Sequence, residues 1–198
     1  EVEDDAFERA RWISERYVAG GAAYEADEAT KAEINQLNKD IYALHAEGVT
    51  ETPLAQIYFV CRQWSYEYFN AFYELIRVHK LRYYPESTSA APGLELVSEL
   101  QRKGKLVESE GAIIYPGDES ANLDARVFIT SKGIPTYETK DLGVIFQERE
   151  DYDFTRRFLI TGSEQGAYMR SVFAVADMVQ PGIKDQMTHI TTGRVKLG

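Results

Sequence analysis

The sequence predicts an α/β fold: half of a doubly wound parallel sheet, preceded by an α-helical segment and a small β insertion. Three patterns predict it. The first is a strand–helix–strand–helix–strand order from Arg126 to Val195, which right-handed crossovers fold into half of an open parallel sheet. The second is the recurrence of apolar residues at helical intervals through residues 4–79. The third is Lys105–Tyr115, two short strand-like runs on either side of Ser109-Glu110-Gly111. The chain of 198 residues therefore divides into a helical connecting segment (1–81), a small α+β insertion (82–124) and the βαβαβ half-sheet (125–198).

In order, residues 4–19 read as a helix with acid in its first turn, which Gly20-Gly21 interrupts or ends. A second helix runs from Asp27 to Ala46, with Ile34, Leu37, Ile41 and Leu44 as its inner stripe and Gly48 as its stop. Thr52-Pro53 opens a third that reaches about His79. Its many aromatics, among them Tyr58, Phe59, Trp64 and Phe69, predict burial on more than one side. Residues 82–87 read as extended, and Ala91-Pro92 starts a helix to Lys103. In the half-sheet, Arg126–Thr130, Arg157–Thr161 and Met187–Val195 read as strands, with Tyr137–Gln147 and Glu164–Met178 as helices.

Composition excludes several function classes. The net charge of −10 argues against a principal nucleic-acid grip, which needs a basic surface. The acid is concentrated: residues 1–50 hold 5 Lys/Arg against 12 Asp/Glu, net −7, whereas residues 151–198 hold 6 against 5, net +1. The single cysteine, Cys61, rules out an internal disulfide framework and sits in an apolar run as a small core residue. No apolar run approaches the ~20 residues that span a bilayer, and the first residues are acidic, so the expectation is a cytoplasmic protein with no membrane partner. His45, His79 and His189 lie too far apart in sequence to make a metal site with neighbouring ligands. No Gly-x-Ser-x-Gly, P-loop or Gly-x-Gly-x-x-Gly motif is present. Catalytic side chains and metal ligands are accordingly expected to be none, with catalysis by positioning two reactants left open. His189 reads as structural, with a place near a ligand at the sheet edge as the alternative.

What remains is Gly133-Ile-Pro-Thr-Tyr-Glu-Thr-Lys-Asp141, taken with Phe158-Leu-Ile-Thr-Gly-Ser-Glu-Gln165. If Thr136 caps the helix, Tyr137 and Asp141 stand four apart on one face. Gln165 falls after the next strand, where open α/β sheets place ligand contacts. A carboxylate, a phenol and an amide in one crevice suit a cationic, hydrogen-bond-rich ligand. The same residues also admit structural readings: Asp141 favoured by the helix dipole, Tyr137 as a core aromatic, Gln165 as a cap.

These segments resemble arginyl-tRNA synthetase, a class I aminoacyl-tRNA synthetase. The likeness rests on Gln63–Ile76, on Tyr84-Pro-Glu-Ser87, on Lys105–Ile114, and most specifically on Gly133–Asp141 with its Gly-x-x-Thr-Tyr-x-Thr-x-Asp pattern. Gly162-Ser-Glu-Gln165 and His189-Ile-Thr-Thr-Gly-Arg-Val195 follow at the expected places; the first 50 residues resemble the family only loosely. The resemblance implies a Rossmann-like catalytic half and an arginine pocket made by Tyr137, Asp141 and Gln165. It further implies nucleotide contacts at Tyr168, Gly193, Arg194 and Val195. Two positions depart from the family: Tyr168 stands where a His is usual, and Thr192 where an aromatic precedes the glycine. The implied substrates are L-arginine, ATP with Mg²⁺, and tRNA, the last contacted mainly through segments outside this chain. No cofactor is expected to bind tightly. The family's His-Ile-Gly-His and Lys-Met-Ser-Lys-Ser elements are absent from these 198 residues. The expectation is thus a fragment of an arginine–tRNA ligase, inactive alone, with a non-catalytic synthetase-like binding module as the alternative.

Overall fold

The computed structural model describes residues 4–79 and 82–193 and resolves two compact units, Glu1–Tyr83 and Tyr84–Gly198. The first unit holds three helices: α1 (Ala6–Ala26), α2 (Glu28–Glu47) and α3 (Pro53–Leu75). Asp5 starts α1 by accepting from the amides of Phe7 and Glu8. Contrary to the sequence expectation, α1 runs straight through Gly20-Gly21. A glycine costs a helix only about 1 kcal/mol relative to alanine, and the alanines around this pair sustain the turn. The stop comes at Asp27, which ends α1 and, through its carboxylate on the Thr30 amide at 2.8 Å, begins α2. Gly48 closes α2 in the left-handed conformation at φ 66°, as its position predicts.

The inner stripe of α2 is partly as expected: Leu44 is buried and Ile34 and Ile41 half-buried, but Leu37 is largely exposed. Helix α3 departs further. It ends at Leu75 rather than His79, and of its residues only Ala55 is fully buried. Its aromatics are half-buried or exposed; most of their contacts are edge-on or tilted, as in Phe7 with Tyr68 and Trp12 with Trp64, while Tyr68 and Phe72 stack. Aromatic spacing alone overstated its burial.

The second unit runs α4 (Glu86–Arg102), β1 (Val107–Ser109), β2 (Ala112–Tyr115), β3 (Arg126–Ile129), α5 (Tyr137–Tyr152), β4 (Arg157–Gly162), α6 (Gly166–Val179) and β5 (Met187–Thr192). Helix α4 begins at Glu86 and carries Pro92 inside it, where the sequence predicted a fresh start. Pro92 has no N–H to give the Thr88 carbonyl, and that carbonyl instead accepts from Gln147 of α5 at 2.9 Å. The neighbouring helix thus repairs the backbone bond that proline removes.

Strands β4 and β5 pair in parallel, Arg157 opposite Met187 through Gly162 opposite Thr192, with α6 as the crossover. This is the parallel element of the mixed α/β fold that the sequence predicts. Strand β3 is arranged differently: it pairs antiparallel with β2, which pairs antiparallel with β1. The connection from β2 to β3 is short enough to favour local pairing over a crossover. One core, including Val97, Leu106, Phe128, Leu142, Val172 and Ile183, joins α4, the β1–β3 sheet, α5 and α6. Helices α4 and α5 approach closely at Gly93 and Gly143. A Cβ on either would lie 2.1 Å from a backbone oxygen, of Thr139 and Ser89 respectively.

Candidate functional site

Two strand-to-helix junctions of the second unit build the site. At the first, β3 ends in a tight turn: the Gly133 amide donates to the Thr130 carbonyl (2.9 Å) with Gly133 at φ 76°. The chain then returns so that the Thr136 amide reaches the Phe128 carbonyl at 2.9 Å. Thr136 occupies the N-cap of α5, as predicted, but its hydroxyl does not cap. That hydroxyl lies 2.7 Å from the Val127 carbonyl and 3.0 Å from that of Phe128. The fully buried Thr139 donates to the same Phe128 carbonyl at 2.5 Å. The two threonines bolt the first turn of α5 to the end of β3, a role their spacing did not reveal.

At the second junction, β4 runs into a 3-10 turn, Ser163–Gln165, that leads directly into α6. Together the junctions form a cavity of about 480 Å³ lined by Tyr137, Glu138, Asp141, Glu164, Gln165 and Tyr168. Tyr137, Asp141 and Gln165, singled out from the sequence, therefore share one cavity, and Tyr168 joins them. Gly193 follows β5 as an exposed residue and is not among those lining it. Arg194 and Val195 lie outside the described residues.

The lining is acidic. Glu138, Asp141 and Glu164 supply three carboxylates, and no Lys or Arg is among the lining residues. Asp141 is half-buried, and desolvation raises its carboxyl above the usual range. The Tyr168 hydroxyl, which donates to its Oδ2, and Arg157 pull the other way, while Glu138 and Glu86 push up. Tyr168 itself is raised, first by burial and then by its bond to Asp141, so it stays a neutral donor.

Tyr137 is mostly exposed, at 65%. The ammonium of Lys140 lies 5.0 Å from the centre of its ring, and Lys140 is held by Glu86 at 2.7 Å. Among the described residues Lys140 is the one charged side chain that is buried. Neither it nor Glu86 was singled out from the sequence for this role. The only signal was their place inside the two segments that carry the family likeness.

His189 is as expected from the sequence: its Nε2 lies 2.8 Å from the Thr161 hydroxyl across the β4–β5 pair, beside the Phe173 ring. Cys61 is half-buried, and desolvation raises its thiol, which disfavours the reactive thiolate.

The pattern of the family described as tRNA synthetases class I (R), catalytic domain, matches residues 14–198. The chain belongs to that family. It is 30% identical over 136 residues to the arginine–tRNA ligase of Lactobacillus delbrueckii subsp. bulgaricus, a match covering 69% of this chain and 24% of that protein. With the arginine–tRNA ligase of Clostridium kluyveri it shares 29% over 128 residues, 65% of this chain and 22% of the relative. The arginyl-tRNA synthetase structure from Plasmodium falciparum superposes with a TM-score of 0.61 at 18% identity, covering 81% of this chain and 29% of the other. That likeness concerns the fold. The matches span about a quarter of the curated relatives' length. Among the described residues, no helix of this class I synthetase domain is long and apolar enough to cross a membrane.

Proposed function

We propose that this chain carries the arginine-recognition side of an arginine–tRNA ligase, with Asp141 pairing the ligand's cationic side chain, Tyr137 orienting it and Gln165 completing its polar contacts. The single observation that carries the reading is the convergence of these three residues on one acid-lined cavity at the ends of β3 and β4. A guanidinium leaving water needs a nearby carboxylate and further acceptors, and this lining supplies both.

ATP with Mg²⁺ is the co-substrate the family implies. A cavity lined by three carboxylates and no cation repels a triphosphate, so this cavity does not fit its phosphates. Nucleotide contacts at Tyr168, Gly193, Arg194 and Val195 are proposed from the family resemblance alone. Because the 198 residues contain neither His-Ile-Gly-His nor Lys-Met-Ser-Lys-Ser, this chain by itself lacks the groups that stabilise the pentavalent phosphate. No arginine-dependent ATP–pyrophosphate exchange is expected from the purified 198 residues, and detecting it would overturn this part of the reading. Contact with tRNA belongs to the whole ligase.

Calorimetry with arginine and its neutral isostere citrulline tests the pocket. A charge-assisted hydrogen bond contributes about 1.5–3 kcal/mol, so the native chain should prefer arginine roughly tenfold or more. Asp141→Ala should abolish that preference. Equal binding of both ligands to both proteins would remove Asp141 from the pocket.

A further inference from the structure

Tyr168 lines the cavity and touches the proposed recognition carboxylate. Its place is firmly set. It stands in the first turn of α6, its ring packs on the hydrophobic core, and the Arg126 guanidinium lies 5.9 Å from the ring centre. The hydroxyl donates to Oδ2 of Asp141, in the second turn of α5. Since Tyr168 takes one oxygen, the carboxylate keeps the other for a ligand, and the hydrogen bond restrains its rotation about the terminal bond.

We propose that Tyr168 is a positioning residue that holds Asp141 as an oriented anion for a cationic ligand. The inference rests on the proposed arginine pocket, but it concerns a different contact. Without such a donor, a carboxylate among like charges in a partly desolvated cavity binds a proton in place of the ligand. The charged and titratable groups around Asp141 set that competition. Glu138 on its own helix and Glu86 of α4 favour the proton; Arg157 of β4 and Tyr168 of α6 oppose it. Glu164 lines the same cavity, and Arg126 of β3 acts on Tyr168. Tyr168 is the only direct hydrogen-bond donor to Asp141 among these contributions.

The linkage has a defined sign. Desolvation raises the Asp141 carboxyl, so cation binding weakens as pH falls through its titration, and binding releases a proton. Removing the Tyr168 hydroxyl moves that titration to still higher pH, so binding fails earlier on acidification.

Tyr168→Phe keeps the ring in the core and deletes only the donor. Two measurements on the 198-residue chain test it. In the first, the Asp141 carboxyl carbon is titrated by ¹³C NMR in native and Tyr168→Phe proteins; the midpoint should rise in the variant, and an unchanged midpoint overturns the proposal. This readout needs no ligand, so it stands apart from the arginine reading. In the second, arginine and citrulline binding are compared across pH. Tyr168→Phe should weaken arginine on the order of tenfold at neutral pH while leaving citrulline unchanged. Its arginine curve should also fall off at higher pH than the native one. Equal loss of both ligands with an unshifted pH curve marks a merely structural tyrosine and overturns the proposal. If the native chain does not discriminate arginine from citrulline, the arginine reading fails, and the carbon titration still decides whether Tyr168 holds Asp141 ionised.

Discussion

The two units of this chain are both rich in apolar residues, yet they bury them differently. In the Tyr84–Gly198 unit, Phe128, Leu100, Leu142 and Val172 are fully enclosed within one core that reaches from α4 to β5. In the Glu1–Tyr83 unit, Ala55 and Leu44 are the buried apolar residues among those described, while Phe69, Phe72 and Leu75 remain substantially exposed. Three amphipathic helices enclose little of one another, because each offers only a stripe, and the aromatics of α3 stay half-buried or exposed. Sheet, crossing helices and glycine contacts enclose far more. The difference teaches where a site with fixed geometry can be built: the cavity around Asp141 is walled by the enclosed unit.

A matched pair of truncations is the strongest way to break that comparison. Phe128→Ala should cost about 3–5 kcal/mol, since it opens a cavity in a dense core and disturbs the strand to which Thr136 and Thr139 anchor α5. Phe72→Ala, already 37% exposed, should cost about 1–2 kcal/mol. Amide hydrogen exchange read in α5 for the first and α3 for the second measures both; similar losses would erase the distinction. A smaller effect follows from the α4–α5 crossing. Gly143→Ala gains up to about 1 kcal/mol of helix propensity. It also places a Cβ 2.1 Å from the Ser89 carbonyl oxygen and 3.0 Å from the Gly93 amide, both backbone atoms that cannot swing away. Overpacking of this kind costs about 1–3 kcal/mol, so a net loss is expected in urea unfolding. A gain would mean that the helices separate easily.

Much of this was legible beforehand, for identifiable reasons. Period and punctuation placed α2 between Asp27 and Gly48, and Glu110-Gly111 placed the β1–β2 turn, where both residues take positive φ. Tyr137, Asp141 and Gln165 were legible as neighbours of one cavity because helix spacing and strand ends place them together. Tyr168, Lys140 and Glu86 were not legible as partners, because their contacts join elements far apart in sequence. The Tyr168–Asp141 bond and the Lys140–Glu86 pair depend on how α4, α5 and α6 cross. Pro92 misled for a similar reason: the donor that makes it tolerable, Gln147, belongs to another helix. Even the pairing of β3 with β2 reflects a local contest that a strand–helix–strand pattern does not encode.

The smallest effect concerns how the open unit is held. Arg9 pairs with Glu67 at 2.8 Å, joining α1 to α3, and its guanidinium lies 5.0 Å from the centre of a Trp64 ring. Its Nε is buried without a hydrogen-bond partner among the described residues. Charge and stem thus work on different sides. The pair is part-buried but still reached by water on the Glu67 side, so it contributes no more than about 1 kcal/mol and is partly screened by salt, and the orphaned N–H subtracts from it. The stem covers aromatic surface regardless of salt. Arg9→Met keeps the stem and drops the charge, so it should change stability by less than about 0.5 kcal/mol. Arg9→Ala removes both and should cost about 1 kcal/mol, a loss that persists in high salt. Exchange rates in α1 at low and high salt separate the two substitutions. If both cost the same and the cost vanishes in salt, the open unit is held by charge rather than by aromatic packing, and its contrast with the enclosed unit becomes one of kind.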